Sequence, residues 1–309
     1  MENLPSRCDS TARHHAAFVA LVLLALAVLV KPLSVLLRTS YADDAHSSIL
    51  LVLPISALLL WRRRREIFGS IRYSRILALV LIALLGPLVW VAIQADSLPQ
   101  ESWLSSSTLL FACWVTGAFA LCYGTRAFRR ACFPLLLLFL AAPLPDGLRT
   151  QAIVFLQTRS ADAAELLFHL ANVPCNRAGV VLTLPRVTIE IAQECSGIRS
   201  SLVLLIATLV IGHRFVERWW SKAGLIFLFV PLMIAKNGLR IFVLSMLGMY
   251  VDRSFLTGRV HRNGGILFFA LAFACTWGVA KIFHRIESRP KAWLPEPAPT
   301  SAIAAKNSA

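Results

Sequence analysis

The chain reads as an all-α membrane protein, a polytopic bundle of about eight transmembrane helices with an extracytoplasmic amphipathic helix and a small β-hairpin. Three observations predict this. Of the 309 residues, 57% are hydrophobic, against ~45–50% in a soluble domain, and mean hydropathy is +0.69. The apolar residues fall into eight runs near the ~20 residues a helix needs to cross the hydrocarbon core. Much of the net charge of +15 sits in short clusters beside those runs: Arg62 to Arg65, Arg126/Arg129/Arg130 and Arg214/Arg218/Lys222. Such clusters anchor topology and touch anionic lipid.

The expected spans are about 15–37, 47–61, 75–94, 103–123, 131–145, 196–213, 223–250 and 263–283. Arg7 and Arg13 precede the first, as in a signal peptide. No small-x-small cleavage site follows cleanly, so an uncleaved first span is expected. Trp61 marks an interface before four arginines, and Pro143 and Pro145 stop the fifth span. With both termini inside, the inner loops become 62–75, 124–130, 214–222 and the tail from Lys281, nearly all basic. The outer segments are then 38–46, 95–102, 146–195 and 251–262. Arg253, Arg259 and Arg262 run against the rule and cluster beside His261.

Within the long outer segment, Leu148, Ala152, Phe155, Leu156, Ala163, Leu166, Leu167 and Leu170 recur at roughly helical spacing. This predicts an amphipathic helix over 148–171 lying in the interface. Gly179-Val-Val-Leu-Thr-Leu and Val187-Thr-Ile-Glu-Ile then flank Pro185-Arg186, which predicts a hairpin. The hairpin delivers the chain to Cys195 at the mouth of the sixth span. Residues 1–290 form one membrane domain, and 291–309 a disordered cytoplasmic tail. Pro295-Glu-Pro297 falls in that tail and reads as proline-rich linker.

Composition also excludes classes. No basic face with interleaved aromatics lies outside the apolar runs, which argues against nucleic-acid binding. The seven cysteines contain no CxxC or CxxxC, so neither a zinc ribbon nor a thioredoxin-type dithiol is expected. Cys113, Cys122, Cys132 and Cys275 lie in apolar runs as packing residues. No metal and no cofactor is expected.

Ionisable residues at or inside membrane helices cost free energy and are functional candidates by default. Cys195 lies in Glu194-Cys-Ser-Gly-Ile-Arg-Ser, where a polar loop gives way to helix. A helix N-terminus favours thiolate over thiol. The other readings of Cys195 are a buried structural cysteine or half of a disulfide with Cys175. Arg240 lies in Lys236-Asn-Gly-Leu-Arg, ~27 Å up its span from Lys222 at ~1.5 Å per residue. Asn237 shares its face. Arg240 either snorkels to the interface or holds a carboxylate or developing oxyanion. His261 stands at the outer mouth of the last span, where an imidazole accepts a thiol proton and returns one to a leaving amine. Otherwise it is a solvated loop histidine, with His46 and His169 as rivals. A thiol, a guanidinium and an imidazole on one face point to thiol-based acyl transfer.

These residues resemble a known family. Cys195-Ser-Gly-Ile-Arg, Asn237-Gly-Leu-Arg240-Ile and His261 followed by Asn-Gly-Gly, in that order, are similar to the exosortase/archaeosortase family of integral-membrane cysteine transpeptidases. Tyr41-Ala-Asp-Asp-Ala-His46, Leu51-Val-Leu-Pro54 and Trp61-Arg-Arg-Arg resemble the family's N-terminal pattern, with Ser47 where a glycine is usual. The resemblance spans about 40–283. It implies an enzyme of the bacterial or archaeal cytoplasmic (inner) membrane with its active site facing outward. Its partners would be the bilayer and secreted proteins bearing a C-terminal sorting tail: a Pro-Glu-Pro-like motif, an apolar helix and a basic end. It implies Cys195 as nucleophile, His261 as acid/base and Arg240 as oxyanion or substrate stabiliser, with Asn237, Arg199 and His46 binding substrate. Two other classes compete. One is a membrane thiol oxidoreductase using Cys175 and Cys195. The other is a transporter or lipid-binding protein with an anion site at Arg240 and Lys236.

Overall fold

The computed structural model describes residues 7–42, 49–68, 83, 86–91, 94, 97–191, 198–257 and 265–288. Most of the expected third span, together with 291–309, lies outside these. Among the described residues, Gln100–Ala141, Trp219–Tyr250 and Gly265–Glu287 are long and apolar enough to cross a membrane. A bent pair adds a fourth.

That pair covers the expected first span, 15–37, and carries a bend within it. Helix α1 (Arg7–Val28) and helix α2 (Val30–Ala42) meet at 78° around Leu29. Pro32 supplies the reason: it has no N–H to give, and its ring crowds the carbonyl four residues back, at Val28. Next, α3 (Ile49–Arg62) and the short α4 (Arg64–Ile67) end on the first arginine cluster.

Helix α5 (Gln100–Leu137) continues through a 3-10 turn at Leu138–Ala141, and it is not straight. Gly124 has φ 81° and ψ 171°, a conformation open essentially to glycine alone. The Ser105 hydroxyl donates to the Pro143 carbonyl at 2.7 Å, and Trp103 and Leu104 share a buried cluster with Leu137 and Ala141. A straight helix at ~1.5 Å per residue would hold Ser105 and Pro143 about 57 Å apart. The chain therefore doubles back at Gly124, and the expected fourth and fifth spans are the two arms of this hairpin.

Helix α6 (Asp146–Leu170) follows Pro143 and Pro145. It ends at Asn172, φ 54°, where the Asn172 and Val173 amides reach back to the His169 and Phe168 carbonyls. This paired closure satisfies carbonyls the helix leaves open. The predicted helix is present, and a separate face of it packs against the protein. Leu156, Gln157, Ser160, Ala161, Ala164 and Phe168 are buried, whereas Leu148, Phe155, Leu166 and Leu170 are exposed. Its most extensive helix contact is with α8. Small residues win that face because they let two backbones approach closely, as helix contacts in membranes require.

The predicted hairpin forms, and a third strand joins it. Strands β1 (Asn176–Ala178), β2 (Val181–Leu184) and β3 (Val187–Glu190) pair antiparallel in the order β1-β2-β3. Leu184 stands opposite Val187 across the turn at Pro185-Arg186. Leu182, Leu184 and Ile191 pack with Phe168, Val173 and Met249 into one core. Arg177 ties the sheet to α6, bonding Asp162 and Glu165. The hydrogen bond from Arg177 does most to hold the Asp162 carboxyl below the usual carboxylate range.

The last helices are α7 (Ile198–Phe215), α8 (Trp219–Tyr250), the short α9 (Ser254–Thr257) and α10 (Gly265–Glu287). Leu204, Met233 and Ala272 join α7, α8 and α10 to Leu156 of α6 in one buried cluster. The basic clusters gather at one end of the bundle. Arg130 bonds the Glu66 carbonyl, and Phe133 stacks on His213 at 3.9 Å. Glu287 accepts the Glu217 and Arg218 amides at 2.8 and 3.1 Å, placing a carboxylate where α8 begins. The sheet marks the other end. Helix α8, with 32 residues, is about 48 Å long and exceeds the ~30 Å hydrocarbon layer. Its final turn packs Met249 into the sheet core and receives Arg186 at the Met249 carbonyl. Open sheet edges are not tolerated in lipid, so that end of α8 stands clear of it.

Gly124→Ala places a side chain on a glycine-only backbone. The expected cost is about 1–3 kcal/mol, read as a lower unfolding temperature in detergent. Unchanged melting would mean the hairpin does not need this turn.

Candidate active site around Arg240

Helix α8 carries the polar centre. Lys236, Asn237 and Arg240 occupy one face within about one turn. Lys236 is 7% and Asn237 2% exposed, while Arg240 is half-buried. Each meets a different neighbour. The Asn237 amide donates to the Ser160 hydroxyl of α6 at 3.0 Å. The Lys236 ammonium donates to the Ser200 hydroxyl in the first turn of α7. The Arg240 guanidinium lies against the start of α10: a methyl group built on Gly265 would stand 3.9 Å from its Cζ and Nη1. An alanine methyl at 265 would make ordinary van der Waals contact with the guanidinium.

A second layer holds the approach from the sheet. The Gln157 amide of α6 donates to the Ile191 carbonyl at 2.7 Å, and the Ile191 amide donates to the Val180 carbonyl at 3.0 Å. Ile191 is thus fixed from both sides four residues before Cys195. The close approach of α6 and α8 depends on Gly238, where an added Cβ would come within 2.6 Å of the Ala163 Cβ.

Of the residues expected at the site, Arg240 and Asn237 are brought to one face. Cys195, His261 and His46 lie outside the described residues, and so does the side chain of Arg199, whose backbone belongs to α7. What the structure does place is their flanks. Ser200, five residues after Cys195, meets Lys236, and Gly265, four residues after His261, meets Arg240. Of the cluster near His261, Arg259 and Arg262 also lie outside, and Arg253 is exposed. Gln157, Ser160 and Ser200 were not singled out from sequence. Each sits among other polar residues, Gln157-Thr-Arg-Ser160 and Arg199-Ser-Ser201, so nothing in the sequence sets it apart.

The described rivals, His169 and Cys175, both sit at the sheet. His169 is exposed on α6 near Glu165, 3.9 Å away. With Pro174, Cys175, Asn176, Thr183, Leu184 and Pro185 it lines an open cleft of about 420 Å³ at the sheet. Cys175 is a free thiol. Burial first, then the Glu165 charge, pushes its pKa up despite Arg177, which keeps it a poor nucleophile.

A sequence model of the family described as transmembrane exosortase matches residues 38–278, a stretch that contains Cys195, Arg240 and His261. No curated protein and no solved structure matches the chain.

Gly238→Val tests the α6–α8 contact. Overpacking there should cost roughly 1–3 kcal/mol, seen in detergent melting, because the nearest atoms include the Ala164 backbone. Gly278→Ala, with open space around it, should be neutral or stabilise by about 0.5–1 kcal/mol. Equal melting of the two variants would refute a packing role for Gly238.

Proposed function

The chain belongs to the transmembrane exosortase family, and from that premise we propose that it is a membrane-embedded cysteine peptidase or transpeptidase. It cleaves C-terminal sorting tails of secreted proteins at the outer face of a bacterial or archaeal cytoplasmic membrane. The observation that carries this reading is the convergence at Arg240: the described flanks of Cys195 and of His261 both meet the Lys236–Arg240 face of α8.

In this reading the Cys195 thiolate attacks the scissile carbonyl and forms a tetrahedral oxyanion. Arg240 holds that oxyanion with fixed, charged donors. His261, having taken the thiol proton, gives it to the departing amine. The C–N bond breaks and a thioester on Cys195 remains. An incoming amine or water then attacks the thioester, His261 accepts its proton, and the thiolate is released. The substrate's Pro-Glu-Pro-like motif reaches the site, its apolar helix lies in lipid beside a bundle of about eight spans, and its basic end remains cytoplasmic. Arg199 and His46 belong to substrate binding, while Asn237, buried against Ser160, holds α6 to α8.

A second reading, an anion site for transport, draws on Lys236 and Arg240 as neighbouring cations and needs no thiol. Processing of a tail-bearing substrate in proteoliposomes separates the two. Cys195→Ala should abolish cleavage, while Cys113→Ala and Cys275→Ala should retain it. Arg240→Lys should still bind substrate but process it 10²–10³ slower, the loss of roughly 2.7–4 kcal/mol expected for one oriented donor. Full cleavage by Cys195→Ala would exclude thiol catalysis.

Sidedness has its own test. The gathering of the basic clusters at one end, opposite the sheet, supports 146–195 and 251–262 outside and both termini inside. An impermeant thiol reagent applied outside intact cells should label a cysteine introduced at Asp146 and miss one at Glu66. The opposite pattern would overturn the orientation and the outward-facing site together.

A further inference from the structure

The sheet has an edge that the reaction as described leaves unused. The Ile191 amide donates to the Val180 carbonyl at 3.0 Å, so these two residues form a hydrogen-bonded pair. Such pairs alternate with non-bonded ones along an antiparallel ladder. In the register of β2 and β3, Leu182–Ile189 and Leu184–Val187 are then bonded, whereas Thr183–Thr188 and Val181–Glu190 are not. The N–H and C=O groups of Thr188 and Glu190 therefore point away from β2. Strand β3 is last in the order β1-β2-β3, and both residues are exposed, while Val187 and Ile189 turn into the sheet core. Among the described residues no backbone bond fills that edge. Hydrocarbon does not tolerate such an edge, so it faces water.

An open edge takes an extended chain that adds as a further strand, and three features select which chain. First, β3 is only four residues long and carries Glu190; short, charged edges resist pairing with copies of themselves. Second, the edge is continuous with the candidate site. The chain leaves β3 through Ile191, held by Gln157, and next appears at the start of α7, where Ser200 meets Lys236. Third, a chain with proline at every second position keeps its N–H groups on one side and can pair along that side only. A Pro-Glu-Pro run is such a chain: its glutamate and the residues flanking the two prolines share one side. The outward groups of β3 recur at the same spacing, every second residue. We propose that the free edge of β3 is the docking strip for the extended motif of the sorting tail, which joins the three-stranded sheet as an added strand bonded to Thr188 and Glu190. This rests on the tail-processing reading given under the proposed function.

The test uses the full-length protein in proteoliposomes and a synthetic tail peptide: a Pro-Glu-Pro motif, an apolar helix of about 20 residues and a basic end. Thr188→Pro removes the outward N–H and leaves the bonds to β2 in place, since proline is tolerated where an edge strand faces away from its neighbour. Its KM should rise roughly two- to tenfold, the effect of one lost hydrogen bond, with kcat unchanged, as for an interaction made equally before and in the transition state. Thr188→Ala keeps the N–H and should raise KM less than Thr188→Pro does. The occupant is identified separately: Thr188→p-benzoylphenylalanine also keeps the N–H, and on illumination it should cross-link to the motif of the peptide. A wild-type KM in a folded Thr188→Pro overturns the proposal, and so do cross-links made only to a second copy of the chain or to nothing. If Thr188→Pro does not fold, Glu190→Pro takes its place: a raised KM supports the proposal, and an unchanged one overturns it. A protein that cross-links the peptide at its motif but never cleaves it would defeat the peptidase reading and leave the docking strip standing.

Discussion

The arrangement hangs on how closely α6 approaches α8. At Gly238 there is no room for a single carbon between the helices. That contact brings Ser160 within reach of Asn237 and aligns Gln157 with the end of the sheet. Polar side chains buried in a low-dielectric setting must be satisfied, so each of these bonds fixes a position as well as lowering a cost. The sheet, α6 and the C-terminal half of α8 then share one core around Phe168, Leu182 and Met249. The result is a rigid shelf at one end of the bundle, with α7 and α10 starting from its edge.

Much of this was legible in the sequence, and the parts that were not share a physical cause. The α5 hairpin was readable because arginines at 126, 129 and 130 divide two apolar runs. The strands were readable because β-branched residues alternate about Pro185-Arg186. Helix α6 was readable as an amphipathic helix, but the face that packs on α8 was not. In water leucines turn into the protein. Beside lipid that preference disappears, since lipid tails are as apolar as leucine, and small residues take the packed face. Leu148 and Leu166 therefore point outward while Ser160 and Ala161 point in. The bend at Leu29 falls inside the expected span 15–37, where Pro32 breaks the helix without ending the apolar run.

The site divides the same way. Arg240 and Asn237 stand out because charge and amide are rare within a long apolar run. Ser200, Ser160 and Gln157 carry no such contrast, and their roles emerge only when α6, α7 and α8 are assembled. Family membership and side-chain geometry also bear on different parts of the centre. The matched stretch includes Cys195 and His261, whereas the described contacts concern the cations and hydroxyls around them. The two meet at Ser200 and Gly265, which are neighbours of the first group in sequence and of the second in space.

The length of α8 has a consequence for the lipid. Trp219 begins the helix at the basic end, and Arg240 stands twenty-one residues on, a rise of about 31 Å. That is close to the ~30 Å depth of an average hydrocarbon layer. Bilayers differ in thickness by a few ångström, and a helix answers such mismatch by tilting or by thinning its surroundings. Helix α8 is bonded at both ends, through Glu287 near its start and Arg186 near its finish, and packed on α6, α7 and α10, so tilting it alone would break those contacts. The whole bundle must ride up or down with it. The height of the guanidinium above the acyl chains is therefore a property the protein shares with its membrane, and a bilayer of different thickness presents the same residues at a different level.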